Sequence, residues 1–222
     1  PVDELAATLP EARIFCDLAA SVGQEPLPQG WVVGAASAHK WGGPAGVGLL
    51  LVRRGAGWRA PFPVDDRTDP RGVGFENVPA ALAASASLQA VMADLAESGA
   101  RRRALTTHLR QRLAALPDVV VLGEPSERLP HVVAFSCLYV DGEVLVSELD
   151  RRGYAVHSGS ACVSSDAVGP SHVLEAMGVL THGNVRVSLP LQASALPDED
   201  GLDRFVAAVE LVLTEQRAVL GL

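Results

Sequence analysis

Lysine is almost absent from this chain. The 222 residues include 18 that are Lys or Arg, and all of these except Lys40 are arginine. Arginine stays protonated and does not condense with an aldehyde, whereas a lysine amine can lose its proton and form a Schiff base. The single lysine therefore indicates a position that requires a primary amine. High genomic GC content is an alternative cause of the scarcity, but it does not explain the position of Lys40 within S-A-H-K-W-G-G-P-A-G-V-G.

Basic charge, cysteine and long apolar runs are also scarce. The net charge of −8 argues against nucleic acid or an anionic membrane as the main partner. No apolar run reaches the roughly 20 residues that a membrane span needs, and the first ten residues lack the basic start of a signal peptide. The three cysteines are odd in number and widely spaced, and they form no C-x-x-C pair or Cys/His cluster, so we expect neither a disulfide framework nor a zinc site. We expect a cytoplasmic protein with free thiols, no metal and no membrane.

Apolar residues make up 48% of the chain, which is enough for a proper core. Apolar runs predict strands at 12–17, 31–37, 47–53, 119–122, 132–137, 154–156 and 185–188. Helical patterns cover 3–9, 80–95, 100–115, 142–152, 170–177 and 198–216, and the first three strands are expected to be buried on both faces. This alternation predicts an α/β fold with a domain boundary near residue 98. The arginines of the 100–115 helix, including Arg102, are expected on its solvent side.

A first group of polar residues follows two neighbouring predicted strands. Asp17 ends the first strand, and Ser37, His39 and Lys40 follow the second. In α/β proteins the carboxyl ends of strands form the edge where cofactors bind. A carboxylate opposite a lysine amine is the arrangement that pyridoxal phosphate needs, with Ser37 and His39 available for its phosphate. The alternative is that Asp17 caps its strand and His39 is a packing residue.

Two further features indicate substrate chemistry. Cys162 lies in the small, polar segment H-S-G-S-A-C-V-S-S-D, which suits a thiol that moves to reach a substrate. Cys16 and Cys137 lie within apolar strands and are expected in the core. Arg186 lies in the apolar strand N-V-R-V-S-L, where a substrate carboxylate would be a bidentate partner. A structural ion pair with an internal Asp or Glu is the alternative for Arg186.

These strings, in this order, resemble the cysteine desulfurases, a branch of the class V aminotransferase group of fold-type I pyridoxal-phosphate enzymes. The matching pieces are F-C-D-L-A-A-S-V-G, S-A-H-K-W-G-G-P-A-G-V-G-L-L-L-V-R-R, E-N-V-P, G-S-A-C-V-S-S and N-V-R-V-S-L, which run from residue 16 to 189. The resemblance implies the C-terminal part of a large domain with a mainly parallel sheet (1–98) and a smaller α/β domain with the cysteine loop (99–222).

The resemblance also implies roles for single residues. Lys40 is the lysine that binds pyridoxal 5'-phosphate, Asp17 is the partner of its pyridine nitrogen, and Ser37 and His39 lie at its phosphate. Cys162 is the persulfide-forming cysteine, and Arg186 binds the substrate carboxylate. The implied reaction converts L-cysteine to L-alanine and passes sulfur from Cys162 to an acceptor or carrier protein, in a homodimer.

The sequence departs from the family pattern in several places. The N-terminal half of the family's large domain, with a ring-stacking histidine, has no counterpart here. Ala20 replaces a usual glutamine, Phe75 a usual threonine and Pro190 a common glycine. An exposed apolar sheet edge is therefore expected, and with it aggregation or pairing with a partner that completes the sheet.

The alternatives are another class V enzyme (a selenocysteine lyase, an epimerase or a transaminase) and a non-catalytic scaffold. Cys162 distinguishes the first group, because a desulfurase needs its thiol and a transaminase does not. The retention of Lys40 argues against a scaffold.

Overall fold

The computed structural model describes residues 1–61, 63, 66–67, 69, 71–72, 75–158 and 171–221. The chain divides into two compact units, Pro1–Gly99 and Ala100–Leu222. Each unit combines helices with a three-stranded sheet, so the prediction of an α/β chain is confirmed.

The first unit contains a small mixed sheet. Its elements are α1 (Val2–Thr8), β1 (Phe15–Asp17), β2 (Val33–Ser37), a 3-10 helix (Ala38–Trp41), β3 (Gly48–Val52) and α2 (Val78–Ala93). The strand order is β1-β2-β3, with β1 parallel to β2 and β3 antiparallel to β2. The described sheet is thus mixed, whereas the sequence predicted a mainly parallel one. The short connection from β2 to β3 explains the difference, because a parallel crossover needs a dozen or more residues.

The outer strands of this sheet carry exposed apolar side chains. Phe15 of β1 is 62% exposed and Leu50 of β3 is 39% exposed. Along β2, in contrast, buried and half-buried residues alternate. The prediction that all three strands are buried on both faces is therefore wrong for β1 and β3, because the described residues leave part of their faces uncovered.

The second unit is built on an antiparallel sheet. Its elements are most of α3 (Leu95–Ala114), then β4 (Val119–Leu122), β5 (Val132–Cys137), α4 (Gly142–Arg151), α5 (His172–Ala176), β6 (Asn184–Ser188) and α6 (Glu199–Leu220). The strand order is β4-β5-β6. The side chains of Asp141, Ser171 and Asp198 accept backbone N–H hydrogen bonds at the starts of α4, α5 and α6, which fixes where these helices begin.

One face of this second sheet forms the core of its unit. Val133, Phe135 and Val185 are buried in a cluster with side chains from α3, α4 and α6. Because side chains alternate along a strand, the residues between them lie on the opposite face. Ala134 and Arg186, which are register partners, belong to that opposite face.

Two predictions fail in this unit. The predicted strand 154–156 is only a bridge between His157 and Arg186. Arg102, expected in solvent, is 0% exposed. It lies three, seven and eleven residues before Leu105, Leu109 and Leu113, so it falls on the helix face that is buried. Burial lowers the pKa of the Arg102 guanidinium.

No single helix in the described ranges is both long and apolar enough to cross a membrane. Taken together as a bent pair, α2 and α3 do meet that length and composition requirement.

Candidate functional site

Lys40 lies on a single 3-10 turn that directly follows β2. Within this turn Ala38 and Trp41 are buried, whereas His39 and Lys40 are exposed. The indole Nε1 of Trp41 donates a hydrogen bond to the carbonyl oxygen of Ala84 (3.1 Å). The Trp41 carbonyl in turn accepts from the Ser87 hydroxyl (2.8 Å). Both partners lie on α2, so the tryptophan anchors the lysine-bearing turn to this helix.

The two glycines after Trp41 allow this turn to end against α2. Gly42 has a φ of +81°, in the left-handed region that favours glycine. A Cβ on Gly43 would lie 3.0 Å from the Ala38 Cβ and 3.2 Å from the Ala84 Cα. The W-G-G string that follows Lys40 therefore suits this backbone path, and it fixes the backbone position of the turn that carries the lysine.

Asp17 lies at the same edge of the sheet as the lysine turn. It ends β1, which runs parallel to β2 and places Asp17 opposite Ala35. One carboxylate oxygen of Asp17 accepts the backbone N–H of Ala19 (2.9 Å). Since parallel strands end at a common edge, Asp17 and Lys40 lie at this edge together, and both are exposed.

Ser37 and His39 form a second polar pair beside the lysine. The Ser37 Oγ and the His39 Nδ1 are 2.8 Å apart, within hydrogen-bond distance. Lys40 itself has no hydrogen bond or ion pair with any residue that the structure describes. An amine, a carboxylate, a hydroxyl and an imidazole at one sheet edge are the groups that pyridoxal phosphate requires for its aldehyde, ring nitrogen and phosphate, so the residues present fit this cofactor.

Arg186 occupies the middle of β6 in the second unit. Its side chain is half-buried, and it forms no ion pair or hydrogen bond with a described side chain. The structural ion pair weighed as an alternative is therefore not found among the described residues. A guanidinium without an acidic partner is available for an external carboxylate.

Of the three cysteines, the structure describes Cys16 and Cys137, which differ in burial. Cys162 lies outside the described residues, within 159–170. Cys137 is buried, as expected, and burial raises the pKa of its thiol to about 12. Cys16 is half-buried rather than fully in the core, and its pKa is raised by burial and by the neighbouring charge of Asp17.

We expect iodoacetamide to alkylate Cys137 extremely slowly in the folded protein. A thiol of pKa about 12 is protonated at pH 8, so its thiolate fraction is roughly three orders of magnitude below that of an ordinary cysteine. Cys16 is half-buried rather than buried, so it should react faster than Cys137. Because its pKa is raised, it should react more slowly than a free cysteine, and its rate should rise with pH. Peptide mapping after timed alkylation measures each rate, with alkylation in urea as the control. Equal rates for Cys16 and Cys137 in the folded protein would contradict this expectation.

Two residues that shape these sites, Trp41 and His157, were not predicted as site residues from the sequence. Trp41 anchors the lysine turn through contacts with α2, and these tertiary contacts are not visible in the sequence pattern. His157 forms a backbone bridge with Arg186. The apolar residues Tyr154 and Val156 indicate that His157 faces away from the core, whereas its pairing with Arg186 is a tertiary contact that the pattern does not show.

Comparison with known proteins identifies the family of this chain. Residues 1–196 match the aminotransferase class-V family. The chain belongs to that family. Among its curated relatives, a cysteine desulfurase of Rhodobacter capsulatus is 35% identical over 186 residues, which are 82% of this chain and 47% of the relative. A cysteine desulfurase of Klebsiella pneumoniae is 31% identical over 230 residues, covering 99% of this chain and 56% of the relative.

Solved structures show the same fold. A NifS-like protein from Rickettsia africae superposes with a TM-score of 0.78 at 21% identity, covering 96% of this chain and 57% of the other. The apo structure of a cysteine desulfurase from Thermococcus onnurineus gives a TM-score of 0.77 at 20% identity, covering 96% and 56%. This class V aminotransferase chain thus spans about half the length of the relatives that it matches.

Proposed function

We propose that this class V chain carries the cofactor lysine, the persulfide cysteine and the carboxylate-binding arginine of a pyridoxal-phosphate-dependent cysteine desulfurase. In this proposal, residues 1–98 are the C-terminal part of the cofactor-binding large domain. Residues 99–222 are the small domain that carries the cysteine loop. The names of the curated relatives support this function, and the geometry around Lys40 supports it independently.

The observation that carries the proposal is the setting of Lys40. The only lysine of the chain is held on a rigid, anchored turn at the sheet edge where Asp17 also lies. Its amine is exposed and has no partner among the described residues. Exposed lysines without partners are common on protein surfaces, so the support comes from Lys40 being the only lysine and from its anchored position at the edge shared with Asp17.

Each polar residue of this edge has a role toward the cofactor. When bound, pyridoxal phosphate supplies an electron-accepting ring that makes the substrate Cα–H acidic. Lys40 would hold the cofactor and then carry the Cα proton as a general base and acid. Asp17 would keep the pyridine nitrogen protonated. Ser37 and His39 would bind the phosphate.

In this proposal Cys162 accepts the sulfur, and Arg186 binds the substrate. Arg186 would hold the carboxylate of L-cysteine in a bidentate contact. The Cys162 thiolate takes the substrate sulfur, so that the substrate C–S bond breaks and an S–S bond forms. L-Cysteine and the Cys162 thiol thereby become L-alanine and a Cys162 persulfide, without an external oxidant or reductant. An acceptor protein then receives the sulfur.

We also propose a homodimer that works in the cytoplasm. Exposed Val78 and Leu82 of α2 supply apolar surface for a contact with a second subunit. Cys16 and Cys137 are free thiols in the structure, which suits a reducing compartment.

Borohydride trapping tests the proposal. After incubation with pyridoxal phosphate and reduction, peptide mapping should find a phosphopyridoxyl group on Lys40. The Lys40→Arg variant keeps the positive charge but cannot condense with the aldehyde, so its adduct should fall below detection. Absence of an adduct on Lys40, both in this chain and in a polypeptide that also supplies the remaining length of the relatives, would refute the proposed function.

A further inference from the structure

Arg186 pairs through its backbone with His157, which lies a few residues before Cys162 in the sequence. The backbone N–H of Arg186 donates to the His157 carbonyl (2.7 Å), and the N–H of His157 donates to the Arg186 carbonyl (3.1 Å). Two residues that exchange both hydrogen bonds form a directly opposed antiparallel pair. The side chains of such a pair lie on the same face, with Cβ atoms about 4.5–5.5 Å apart.

Core packing on β6 and on the segment 154–158 shows independently which face of the sheet carries Arg186 and His157. Val185 and Val187, on either side of Arg186, pack against the core of the unit. Tyr154 and Val156 pack against the same core, so alternation directs His157 away from it. The Arg186 guanidinium and the His157 imidazole therefore share the face of the sheet that is opposite the core.

On the described strands, this shared face carries hydrogen-bond donors and no acidic side chain. The strands β4, β5 and β6 and the segment 154–158 contain no Asp or Glu. In the part of the chain that the structure describes, Arg186 has no ion pair, and the imidazole of the exposed His157 has no hydrogen bond. Pairing with an anion offsets the cost of removing a half-buried guanidinium from water. An imidazole can donate a hydrogen bond in either protonation state.

We propose that His157 is a second donor to the carboxylate of the amino-acid substrate, acting beside Arg186. This inference rests on the proposed function, because it adds a residue to the substrate site of that enzyme. The ligand class is the α-carboxylate of a small amino acid. His157 and Arg186 reach it from neighbouring segments, so the substrate carboxylate is held from two directions.

The test is an NMR titration of the full chain without cofactor, using L-alanine as the probe. L-alanine carries the carboxylate but no reactive sulfur, and ethylamine is the same molecule without its carboxylate. L-alanine should shift the backbone amide signals of His157 and Arg186 in a saturable way, and ethylamine should leave them unchanged.

Substitutions assign the effect to His157. His157→Ala removes the donor and should weaken L-alanine binding about tenfold, the low end of the range for one lost hydrogen bond to a charged group. His157→Gln keeps a donor and should retain most of the affinity. His172→Ala, an exposed histidine on α5, is the matched control and should bind as the unmodified chain does. Because His157 is exposed, these variants should fold, which an amide spectrum confirms.

Three results would overturn the inference: no saturable shift at either residue, equal shifts with ethylamine, or unchanged affinity in His157→Ala. Borohydride trapping on Lys40 is measured separately, so the two proposals fail in different ways. A Lys40 adduct together with unchanged affinity in His157→Ala refutes the role of His157 and leaves the desulfurase proposal standing. Carboxylate binding without any Lys40 adduct refutes the desulfurase proposal and supports the carboxylate site.

Discussion

Replacing Trp41 by alanine is expected to destabilise the first unit by about 3–5 kcal/mol, the usual cost of removing a buried tryptophan. The side chain is 1% exposed, and its Nε1 donates to the Ala84 carbonyl. The substitution therefore leaves a cavity, and it also frees the lysine turn from α2. Urea unfolding followed by far-UV circular dichroism measures the loss of stability. The yield of phosphopyridoxyl adduct on Lys40 should fall as well.

A second tryptophan supplies the control for this prediction. Trp58 is 37% exposed, so Trp58→Ala should change stability by less than about 1 kcal/mol. Trp41→Phe keeps most of the volume and removes the indole N–H, and it should cost about 1–3 kcal/mol because the Ala84 carbonyl loses its donor. Equal unfolding midpoints for Trp41→Ala and Trp58→Ala would show that Trp41 does not anchor the turn.

Replacing Gly183 by alanine is expected to destabilise the second unit by about 4 kcal/mol or more. Gly183 has a φ of +64° and precedes β6. An added Cβ would lie 2.1 Å from the Cys137 carbonyl oxygen and 2.6 Å from that of Val140. Both obstacles are backbone atoms, so relief requires the Cys137 backbone to move, together with its hydrogen bond to the Gly183 carbonyl.

Gly178 is the matched control for this substitution. Its φ of +67° is almost the same, but nothing lies within 4 Å of an added Cβ. Gly178→Ala should therefore cost only about 1–2 kcal/mol, the price of the left-handed conformation. The difference between the two free energies of unfolding isolates the steric clash at Gly183. Similar values for the two variants would show that the backbone around Cys137 adapts.

The arrangement of Asp17 and Lys40 could be predicted from sequence because it depends on local patterns. Two apolar strands, each followed by a polar residue, are visible without knowing any tertiary contact. A parallel pairing of these strands then places both residues at one edge. The antiparallel attachment of β3 was not anticipated, because it depends on the short connection from β2 rather than on the composition of the strand.

Other features depend on contacts that a pattern does not show. Arg102 belongs to a run of three arginines, which indicates a solvated helix face, yet its spacing from Leu105, Leu109 and Leu113 places it in the core. The segment 154–156 has strand-like composition but pairs only at His157. The position of Cys162, outside the described residues, stays a prediction.

The exposed, anchored Lys40 also determines how the protein responds to laboratory reagents. Because the chain has one lysine, an amine-directed fluorophore or crosslinker has a single side-chain target, and that target is the proposed cofactor position. Coupling the protein to a sensor surface through side-chain amines would therefore cover the site under study. Attachment through an added affinity tag leaves it open, and prior incubation with pyridoxal phosphate should slow the labelling of Lys40 by an amine-directed fluorophore.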